Sequence, residues 1–391
     1  MNEQLEKLFD WVAAGEWGSD QGTAGGIDTG VIRSANFTKD HKFNSKEIVV
    51  RSIEERKRQK KLLYRGDILI EKSGGSPDQP VGRVLFYDLE VEHTCSNFIS
   101  ILRPSRQADP KFLYYSLCNL YDRGVVKNYQ QQTTGIINLQ LGEYLRESIF
   151  LPPLPEQKKI AEILSGIDKA VGTYEQQHKV LTGILYALMQ EEIAQSKFAL
   201  RQKIGDLCTS QAGGTPDRSQ RTNYQGNIPW VKSGEVRGED IIQTDEKISE
   251  EALLNSSAKI VPSGSVLVAM YGATAGQTAR LRIDATTNQA VLALNTKTGE
   301  LSNNYLYYAV TAFKEQLLLT CQGSGQPNLS SGLIRELEIP LPSPSNQERI
   351  ATTLDSVSGK ISTLGKKINA TRVLKSAVAN ELLSGRKRVS V

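Results

Sequence analysis

Two acidic segments in the second half of the chain carry residue types that a metal-dependent nuclease would use. Pro-Asp at 216–217 and Asp-Glu-Lys at 245–247 formally satisfy the P-D…D-x-K pattern, whose carboxylates hold a divalent cation. That chemistry needs the acidic pair on adjoining strands, whereas residues 243–254 (QTDEKISEEALL) predict a polar turn that enters a helix. Pro-Asp at 77–78 repeats only the first part of the pattern. A nuclease is therefore an alternative that we disfavour, and we predict neither catalytic residues nor a metal site.

Other catalytic chemistries find few candidate residues in this sequence. The chain has three histidines and four cysteines. The cysteines stand far apart, without a C-x-x-C pair or a histidine at ligand spacing, so we predict reduced, mostly structural thiols. The scarcity of histidine disfavours a nucleophile with an imidazole base beside it. Phosphate-binding and methyltransferase motifs are absent as well, since there is no G-x-x-x-x-G-K-[ST] and no Asn/Asp-Pro-Pro-aromatic tetrad.

Composition describes a folded protein with a mild basic excess. Hydrophobic residues make up 39% of the 391 residues and charged residues 23%, and the length suggests two or three globular units. The 47 Lys and Arg against 43 Asp and Glu give a net charge of +4, which permits a polyanionic partner without requiring one. No apolar stretch is long enough to cross a bilayer and the amino terminus lacks a signal-peptide pattern, so we expect a cytoplasmic protein.

The chain contains an internal repeat. Residues 151–164 (LPPLPEQKKIAEIL) align without a gap on residues 341–354 (LPSPSNQERIATTL), and the same offset of 190 (328 − 138) aligns Asn138 with Asn328. With small insertions the match extends upstream to RGDILI and SGSVLV, and to VIRSANF (31–37) and WVKSGEV (230–236). Each half therefore begins with a region rich in strands and turns and ends with a long helix.

The two predicted helices carry apolar residues in steps of three and four, as a coiled-coil seam requires. Each would run about 40 residues, or roughly 60 Å, which exceeds one small globule, so pairing with each other buries both stripes. His178 and Lys375 interrupt the stripes, either to set the register or because they lie in a frayed or partner-covered stretch. The predicted seam consists of Ile160, Leu164, Ile167, Val171, Leu181, Leu185, Ile350, Leu354, Val357, Ile361, Leu364 and Ile368.

The predicted fold class is α+β, with two similar mixed globular domains separated by two long helices in an antiparallel coiled coil with pseudo-two-fold repetition. The predicted segments are a first domain at 1–153, a helix at 154–196, a second domain at 197–343 and a helix at 344–391. A helical pair that carries two related but different globules suits a divided target such as two half-sites on DNA. The loops differ between the halves, as expected if each set reads different base edges.

Candidate DNA contacts are the side chains in these loops that supply hydrogen bonds or positive charge. In the second half they are Arg218, Arg221, Asn223, Lys232, Ser233, Tyr271, Thr274 and Gln277. In the first half their counterparts by position are Arg33, Ser34, Asn36, Lys72, Ser73 and Gln79. Asn138 and Asn328 are interpreted as structural caps, and the basic run at 56–61 as either a phosphate contact or a solvated helix face.

These motifs together resemble the specificity subunit of type I restriction-modification systems, with two target-recognition domains that alternate with two long helices. The resemblance covers nearly the whole chain and is carried most clearly by residues 214–236, 264–281, 287–294 and the segment that begins IPLPSPSNQERIATTLDSV. The first half departs from the pattern at residues 15–37, where the G-T-P and I-P-W elements are replaced.

The resemblance implies a non-catalytic DNA-binding subunit that reads a bipartite, asymmetric target, with helix length setting the gap. It implies double-stranded DNA, two modification (methyltransferase) subunits and restriction subunits as partners, and no membrane. Cofactors would belong to those partners: S-adenosylmethionine to the modification subunits, ATP and Mg to the restriction subunits, and none to this chain. A protein-interaction scaffold without DNA remains a rival, which a steep loss of duplex affinity with rising salt would exclude.

Overall fold

The computed structural model describes residues 1–75, 79–133, 135–197, 200–297, 299–321 and 328–390. The chain divides into two compact units. The first unit comprises Met1–Tyr174 together with Lys367–Val391, and the second comprises Glu175–Lys366. Each unit thus contains one globular region and a part of each long helix. The long helices are therefore parts of the two units.

The first unit is built from short strands, three short helices and a part of each long helix. Its strands are β1 (Asn2–Gln4), β2 (Phe9–Ala14), β3 (Gly26–Ile32), β4 (Val49–Glu54), β5 (Ile68–Glu71), β6 (Ser73–Gly75), β7 (Val84–Phe86), β8 (His93–Cys95), β9 (Ile99–Pro104), β10 (Gln130–Thr133), β11 (Ile136–Leu139) and β12 (Ser148–Phe150). Its helices are α1 (Glu55–Lys61), α2 (Pro110–Asp122), α3 (Leu141–Tyr144) and the first part of α4 (Leu154–Met189).

The second unit repeats this order of elements. Its strands are β13 (Arg201–Lys203), β14 (Cys208–Ala212), β15 (Ile228–Val231), β16 (Asp240–Ile241), β17 (Glu246–Ile248), β18 (Val266–Ala269), β19 (Thr278–Leu281), β20 (Thr286–Thr287), β21 (Val291–Thr296) and β22 (Glu338–Pro340). Its helices are α5 (Ile204–Leu207), α6 (Glu250–Leu254), α7 (Asn303–Ala312), α8 (Lys314–Leu319), α9 (Ser331–Glu336) and the first part of α10 (Pro344–Leu383), and a π-helical turn at Gln190–Ala194 extends α4.

Strand pairing confirms the repeat that the sequence predicts. The order β2-β9-β5-β7 in the first unit recurs as β14-β21-β18-β19, to which β16 is added. The order β4-β3-β8 recurs as β17-β15-β20, and in both sheets the second pair is parallel. The small sheet β1-β12 recurs as β13-β22. The two globular regions are therefore two copies of one mixed α+β fold.

The departure that the sequence shows at residues 15–37 does not extend to the backbone. Gly15 occupies the place of Gly213, because a Cβ at Gly15 would lie 2.0 Å from the carbonyl oxygen of Cys95 and one at Gly213 would lie 2.1 Å from that of Thr287. Both positions require glycine for this close approach of two backbones. The first half thus keeps the glycine that precedes the G-T-P element, and Glu16 stands in the place of Gly214.

One sequence-based expectation is wrong in the second unit. The segment 243–254 was expected to be a polar turn entering a helix, yet Glu246–Ile248 forms β17 and pairs antiparallel with Ile228–Trp230 before α6 begins. Lys247 is exposed between the half-buried Glu246 and the fully buried Ile248. The strand is therefore held by one apolar side chain and by its backbone pairing with β15. So short a period-two pattern is too brief to stand out in a polar sequence.

Each unit buries apolar residues from both long helices in one core. In the first unit Ile160 and Leu164 of α4 share a cluster with Leu382 and Leu383 of α10. In the second unit Met189 of α4 shares a cluster with Ile350 and Leu354 of α10. The ends of the predicted seam therefore belong to the globular cores, and the remaining seam positions, such as Val171 and Ile368, are buried or half-buried.

The helices pack antiparallel within each unit. In the first unit Lys375 pairs with Asp168 (2.6 Å) and Lys367 lies over the ring of Tyr174 (6.0 Å), so numbers on α10 fall as those on α4 rise. In the second unit Arg349 pairs with Glu192 (2.8 Å), which continues the same order. The predicted antiparallel coiled coil is confirmed in direction.

A buried glutamine joins each globular region to the start of a long helix. The side-chain oxygen of Gln157 accepts from the amide of Asp109 (2.8 Å), and that of Gln347 accepts from the amide of Ser302 (2.9 Å). Asp109 and Ser302 cap α2 and α7, respectively. Each glutamine thus satisfies a helix N-terminus of its own unit, a structural role in line with its complete burial.

Lys375 has a defined partner in the first unit. Its ammonium group pairs with Asp168, and both side chains are 27% exposed. The ammonium group also lies over the ring of Tyr115, whose hydroxyl donates to the same aspartate at 2.8 Å. Of the two explanations that the sequence left open for this polar seam position, the pairing favours a role in setting the register.

We therefore expect Lys375→Glu to destabilise the first unit by about 1 kcal/mol or more, because it places two like charges together in a half-buried site. The combination with Asp168→Lys should restore most of the loss, and Lys360→Glu, an exposed position on the same helix, is the matched control. Urea unfolding followed by circular dichroism gives the free energies. Equal effects of Lys375→Glu and Lys360→Glu would contradict the assigned pairing.

Candidate nucleic-acid interface

In each unit a turn and a loop meet at one edge of a three-stranded sheet, which is β4-β3-β8 in the first unit and β17-β15-β20 in the second. We call this edge, formed by residues 33–36 and 96–98 in the first unit and by 232–235 and 288–290 in the second, the loop edge. Its members follow β3 and β8 in one unit and β15 and β20 in the other. Because the two strands of each pair run parallel, their carboxyl ends bring both segments to the same place.

The same backbone hydrogen bonds build the loop edge in both units. The amide of Ser96 donates to the carbonyl oxygen of Ile32 (2.8 Å), and the amide of Asn288 donates to that of Val231 (2.9 Å). These shared hydrogen bonds show which residues of the first unit are equivalent to which residues of the second. Arg33 corresponds to Lys232 on this basis.

A 3-10 turn presents the predicted contact residues of the loop edge. The amide of Arg33 donates to Oδ1 of Asn36 (3.0 Å), and the amide of Lys232 donates to Oε2 of Glu235 (2.8 Å). The fourth residue of each turn thus fixes the first, which preorganises the side chains between them. The turn is the same in both units although three of its four side chains differ.

Two predicted cations of the second unit share one carboxylate. Arg218 and Lys232 approach Glu246 of β17 at 2.6 Å and 2.9 Å. The Arg218 guanidinium also lies over the rings of Tyr224 (4.2 Å) and Trp230 (4.8 Å). This cluster holds two long side chains in fixed positions beside the turn, where their remaining N–H groups can meet an anion.

The charges in this cluster are mutually stabilised. The hydrogen bond from Arg218 lowers the pKa of the Glu246 carboxyl, with a further contribution from Lys232. The hydrogen bond to Glu246 raises the pKa of the Lys232 ammonium group. Lys232 and Glu246 therefore stabilise each other's charged form, and Asp245 adds a second carboxylate 3.6 Å from the Lys232 ammonium group.

Further contacts support the turn from outside. In the second unit Oγ1 of Thr274 donates to the carbonyl oxygen of Ser233 (2.8 Å). In the first unit the guanidinium of Arg83 donates to the carbonyl oxygen of Ser34 (3.1 Å) and pairs with the buried Glu71 (2.6 Å). The structure thus brings Ser233 and Thr274 together, and Arg83, which the sequence did not single out, supports the turn of the first unit.

Other predicted residues follow β5 and β18, beside the loop edge. Lys72 donates its amide to the carbonyl oxygen of Phe98 (2.9 Å), and the hydroxyl of Ser73 donates to Oδ1 of Asn138 (2.6 Å). Tyr271, the counterpart of Ser73, is exposed and bridges to Asn328 through its backbone. Asn138 thus has a structural contact, as the sequence suggests.

The remaining predicted residues occupy surroundings of several kinds. Gln79 faces the Arg83 guanidinium with its side-chain amide, Gln277 is half-buried, and Arg221 is exposed on a 3-10 turn. Asn36 and Asn223 are buried, and their amide groups donate to carbonyl oxygens of their own loops. We assign these two asparagines to support of the loops and keep DNA contact for the exposed residues.

Sequence reasoning missed several residues at this edge. Glu246 occupies the variable position of the D-x-K pattern, and the sequence gives no signal that it pairs with two cations. Trp17 and Phe98 were not singled out, yet they line a cleft of about 470 Å³ with Arg33 and Ser34. Their signal in the sequence was an aromatic residue next to a glycine or a polar pair, GEW and SNF, which is weak without the fold.

The structure gives no support to the nuclease pattern. Among the described residues there is no group of three or more His, Cys, Asp and Glu side chains placed to hold a metal ion. Asp217 accepts from the amide and hydroxyl of Ser219, and Asp245, the acidic residue of the D-x-K pattern, is exposed and lies 3.6 Å from the Lys232 ammonium group. Pro-Asp at 77–78 lies outside the described residues. No helix in the described part of the chain is long and apolar enough to span a membrane.

Comparison with known proteins gives the family. The family model for the type I restriction modification DNA specificity domain matches twice, at residues 12–182 and 201–371. These two matches follow the internal repeat and take in most of the chain.

Individual relatives agree. The type I restriction enzyme MjaVIII specificity subunit of Methanocaldococcus jannaschii is 24% identical over 388 residues, which is 93% of this chain and 86% of that one. The MjaIX specificity subunit of the same organism is 32% identical over 158 residues, 39% of this chain and 36% of that one. The crystal structure of a type I restriction-modification S subunit from M. genitalium has the same fold, with a TM-score of 0.64 at 16% identity over 98% of this chain and 96% of that one.

The double match, the repeated α+β fold and the antiparallel helices lead to one conclusion: the chain belongs to the family of type I restriction-modification DNA specificity subunits, which are non-catalytic.

Proposed function

We propose that this chain reads a bipartite, asymmetric DNA target, one half-site at the loop edge of each unit. The observation that carries the proposal is a repeated scaffold with unlike side chains at equivalent positions. Arg33 stands where the second unit has Lys232, and Ser73 stands where it has Tyr271. A shared backbone with different hydrogen-bonding groups is what two readers of different base sequences require.

The contacts that we propose for the second half-site come from the cluster around Glu246. Arg218 and Lys232 would reach phosphates or base edges, with Arg221 nearby on the exposed turn. Ser233, Tyr271, Thr274 and Gln277 would supply neutral hydrogen bonds. In the first unit the corresponding contacts would come from Arg33, Ser34, Lys72, Ser73 and Gln79.

We further propose that the long helices act as a spacer and as a platform for catalytic partners. Two modification subunits, which would bind S-adenosylmethionine and methylate adenine, and the restriction subunits, which would use ATP and Mg, would assemble on this chain. The chain itself would need no cofactor, because none of the proposed roles requires chemistry beyond binding. A DNA-free scaffold is disfavoured by the paired cations at the loop edge.

Exchange of residues 1–150 for the equivalent segment of another specificity subunit should change one half-site and leave the other unchanged. The donor must keep apolar partners for Ile160, Leu164 and Leu382, because these residues close the core of the first unit. Mapping of methylated adenines in a host that carries the assembled system would identify both half-sites. A change in both half-sites would contradict separate reading by the two units.

Glu246→Gln should weaken discrimination at the second half-site while strengthening binding to unrelated duplexes. The substitution removes the charge that positions Arg218 and Lys232, so both cations become available to phosphates without fixed geometry. Each additional phosphate neutralised should steepen the salt dependence by about 0.9 log unit of affinity per log unit of salt.

The matched control for this variant is Glu250→Gln, which removes one exposed carboxylate on α6 of the same unit. Titration of target and unrelated duplexes with the assembled complex at several salt concentrations measures both effects. If the two variants change affinity and salt dependence alike, the Glu246 cluster has no specific part in reading DNA.

Insertion of four residues after Tyr174 and four after Lys366 should lengthen the gap between half-sites without changing their sequences. These points face each other in the antiparallel pair, as the contact of Tyr174 with Lys367 indicates, so the pairing is kept. Four residues add about 6 Å to a helix, which is about two base pairs of B-DNA. Methylation mapping reads the gap, and an unchanged gap would refute the proposed spacer.

A further inference from the structure

The cleft at the loop edge of the first unit differs from the rest of the proposed interface in having aromatic walls. It is lined by Trp17, Arg33, Ser34, Ala35, Ser96, Asn97 and Phe98 and has a volume of about 470 Å³. Three backbone segments build it, and they are joined by hydrogen bonds from Glu16 to Cys95 (2.8 Å) and from Ser96 to Ile32 (2.8 Å). The cleft is therefore part of the scaffold and keeps its form without a ligand.

The aromatic walls are held in place although they face solvent. Phe98 is 51% exposed, and its carbonyl oxygen accepts from the amide of Lys72 at 2.9 Å. The guanidinium of Arg51 lies 4.9 Å from the centre of the Trp17 ring and pairs with Asp20 at 2.5 Å. Exposed aromatic surface beside a charged network costs free energy in the unbound protein, which a bound apolar group would recover.

A buried hydrogen-bond donor lies in the same lining. Nε of Arg33 is buried and has no hydrogen-bond partner among the described atoms, while its Nη2 lies 3.4 Å from the carbonyl oxygen of Glu47. An unsatisfied buried N–H is costly, so this group favours a ligand that presents an acceptor. The cleft thus combines apolar walls with one donor.

The second unit lacks this combination at the equivalent positions. Trp17 corresponds to Thr215, two residues after the shared glycine, and the hydroxyl of Thr215 donates to Gln289. Phe98 corresponds to Ala290, whose carbonyl oxygen accepts from the amide of Met270 at 2.8 Å. Small residues thus replace both aromatic walls at the equivalent positions of the second unit.

We propose that this cleft recognises thymine in the first half-site, with the C5-methyl group against Trp17 and Phe98 and O4 accepting from Arg33. The proposal rests on the proposed reading of DNA at the loop edge. In the major groove only thymine presents a methyl group beside a carbonyl acceptor, whereas guanine has acceptors without the methyl and cytosine presents a donor there. A donor beside an apolar wall therefore fits thymine better than any other base.

The test replaces thymine by deoxyuridine, which removes the methyl group and nothing else. The half-sites are first assigned by the domain exchange described above, and duplexes with single replacements are then titrated with the assembled complex. We expect one replacement in the first half-site to weaken binding about fourfold, the contribution of one buried methyl group. Replacements in the second half-site should have no comparable effect.

Phe98→Ala should abolish the difference between the thymine and deoxyuridine duplexes. Tyr64→Ala is the matched control, because Tyr64 is an aromatic residue of the same unit with a similar exposure of 53% that lies beside Asp67, near the start of β5 and away from the loop edge. This control should keep the difference.

The outcomes distinguish the thymine proposal from the proposed reading of DNA, on which it rests. If every thymine of the first half-site tolerates deoxyuridine while the complex still prefers its target, the thymine assignment is overturned and the reading of DNA stands. The same holds if the first half-site contains no thymine in either strand, or if Phe98→Ala keeps the difference. If the complex shows no preference for its target at all, the proposed function itself fails.

Discussion

The fold depends on a shared core: each unit is completed by apolar residues from both long helices. Leu382 and Leu383 of α10 pack with Ile160 and Leu164 of α4 inside the first unit. Burying side chains of this size contributes about 1.5–3 kcal/mol each, so these contacts hold the helix pair firmly to the globular region. Recognition loops and helices therefore form one mechanical body within each unit, and the loop edge has a fixed base.

Long-period features of the fold could be predicted from the sequence. The internal repeat, the two helices and their apolar stripes rest on patterns of 14 residues or more, as at 151–164 and 341–354, and strand pairing and helix direction agree with them. Gln157 and Gln347 stand at the same place in the two copies of the repeat, at the start of a long helix. Their actual partners, the N-terminal residues of α2 and α7, lie about 45 to 48 residues earlier and were not visible.

Features that depend on one or two residues could not be predicted. Gly15 and Gly213 are equivalent because of a single close contact, which leaves no pattern in the neighbouring residues. Asn36 is of the residue type that reads bases, but the fold directs its amide to carbonyl groups of its own loop. Glu246 illustrates the reverse case, since a carboxylate to which the sequence assigned no role positions two cations. Side-chain type thus indicates what a residue can do, and the strands around it decide which partner it has.

The shared core also bears on how the protein is made. The core of the first unit contains Leu164 and Leu383, which are separated by about 220 residues of chain, and synthesis at about 5–20 residues per second delays the second by roughly 10–40 s. During that time the apolar face of α4 has no α10 to cover it. During synthesis the first domain would therefore expose apolar surface on α4 to chaperones or to neighbouring chains. If translation ended early, this surface would stay exposed.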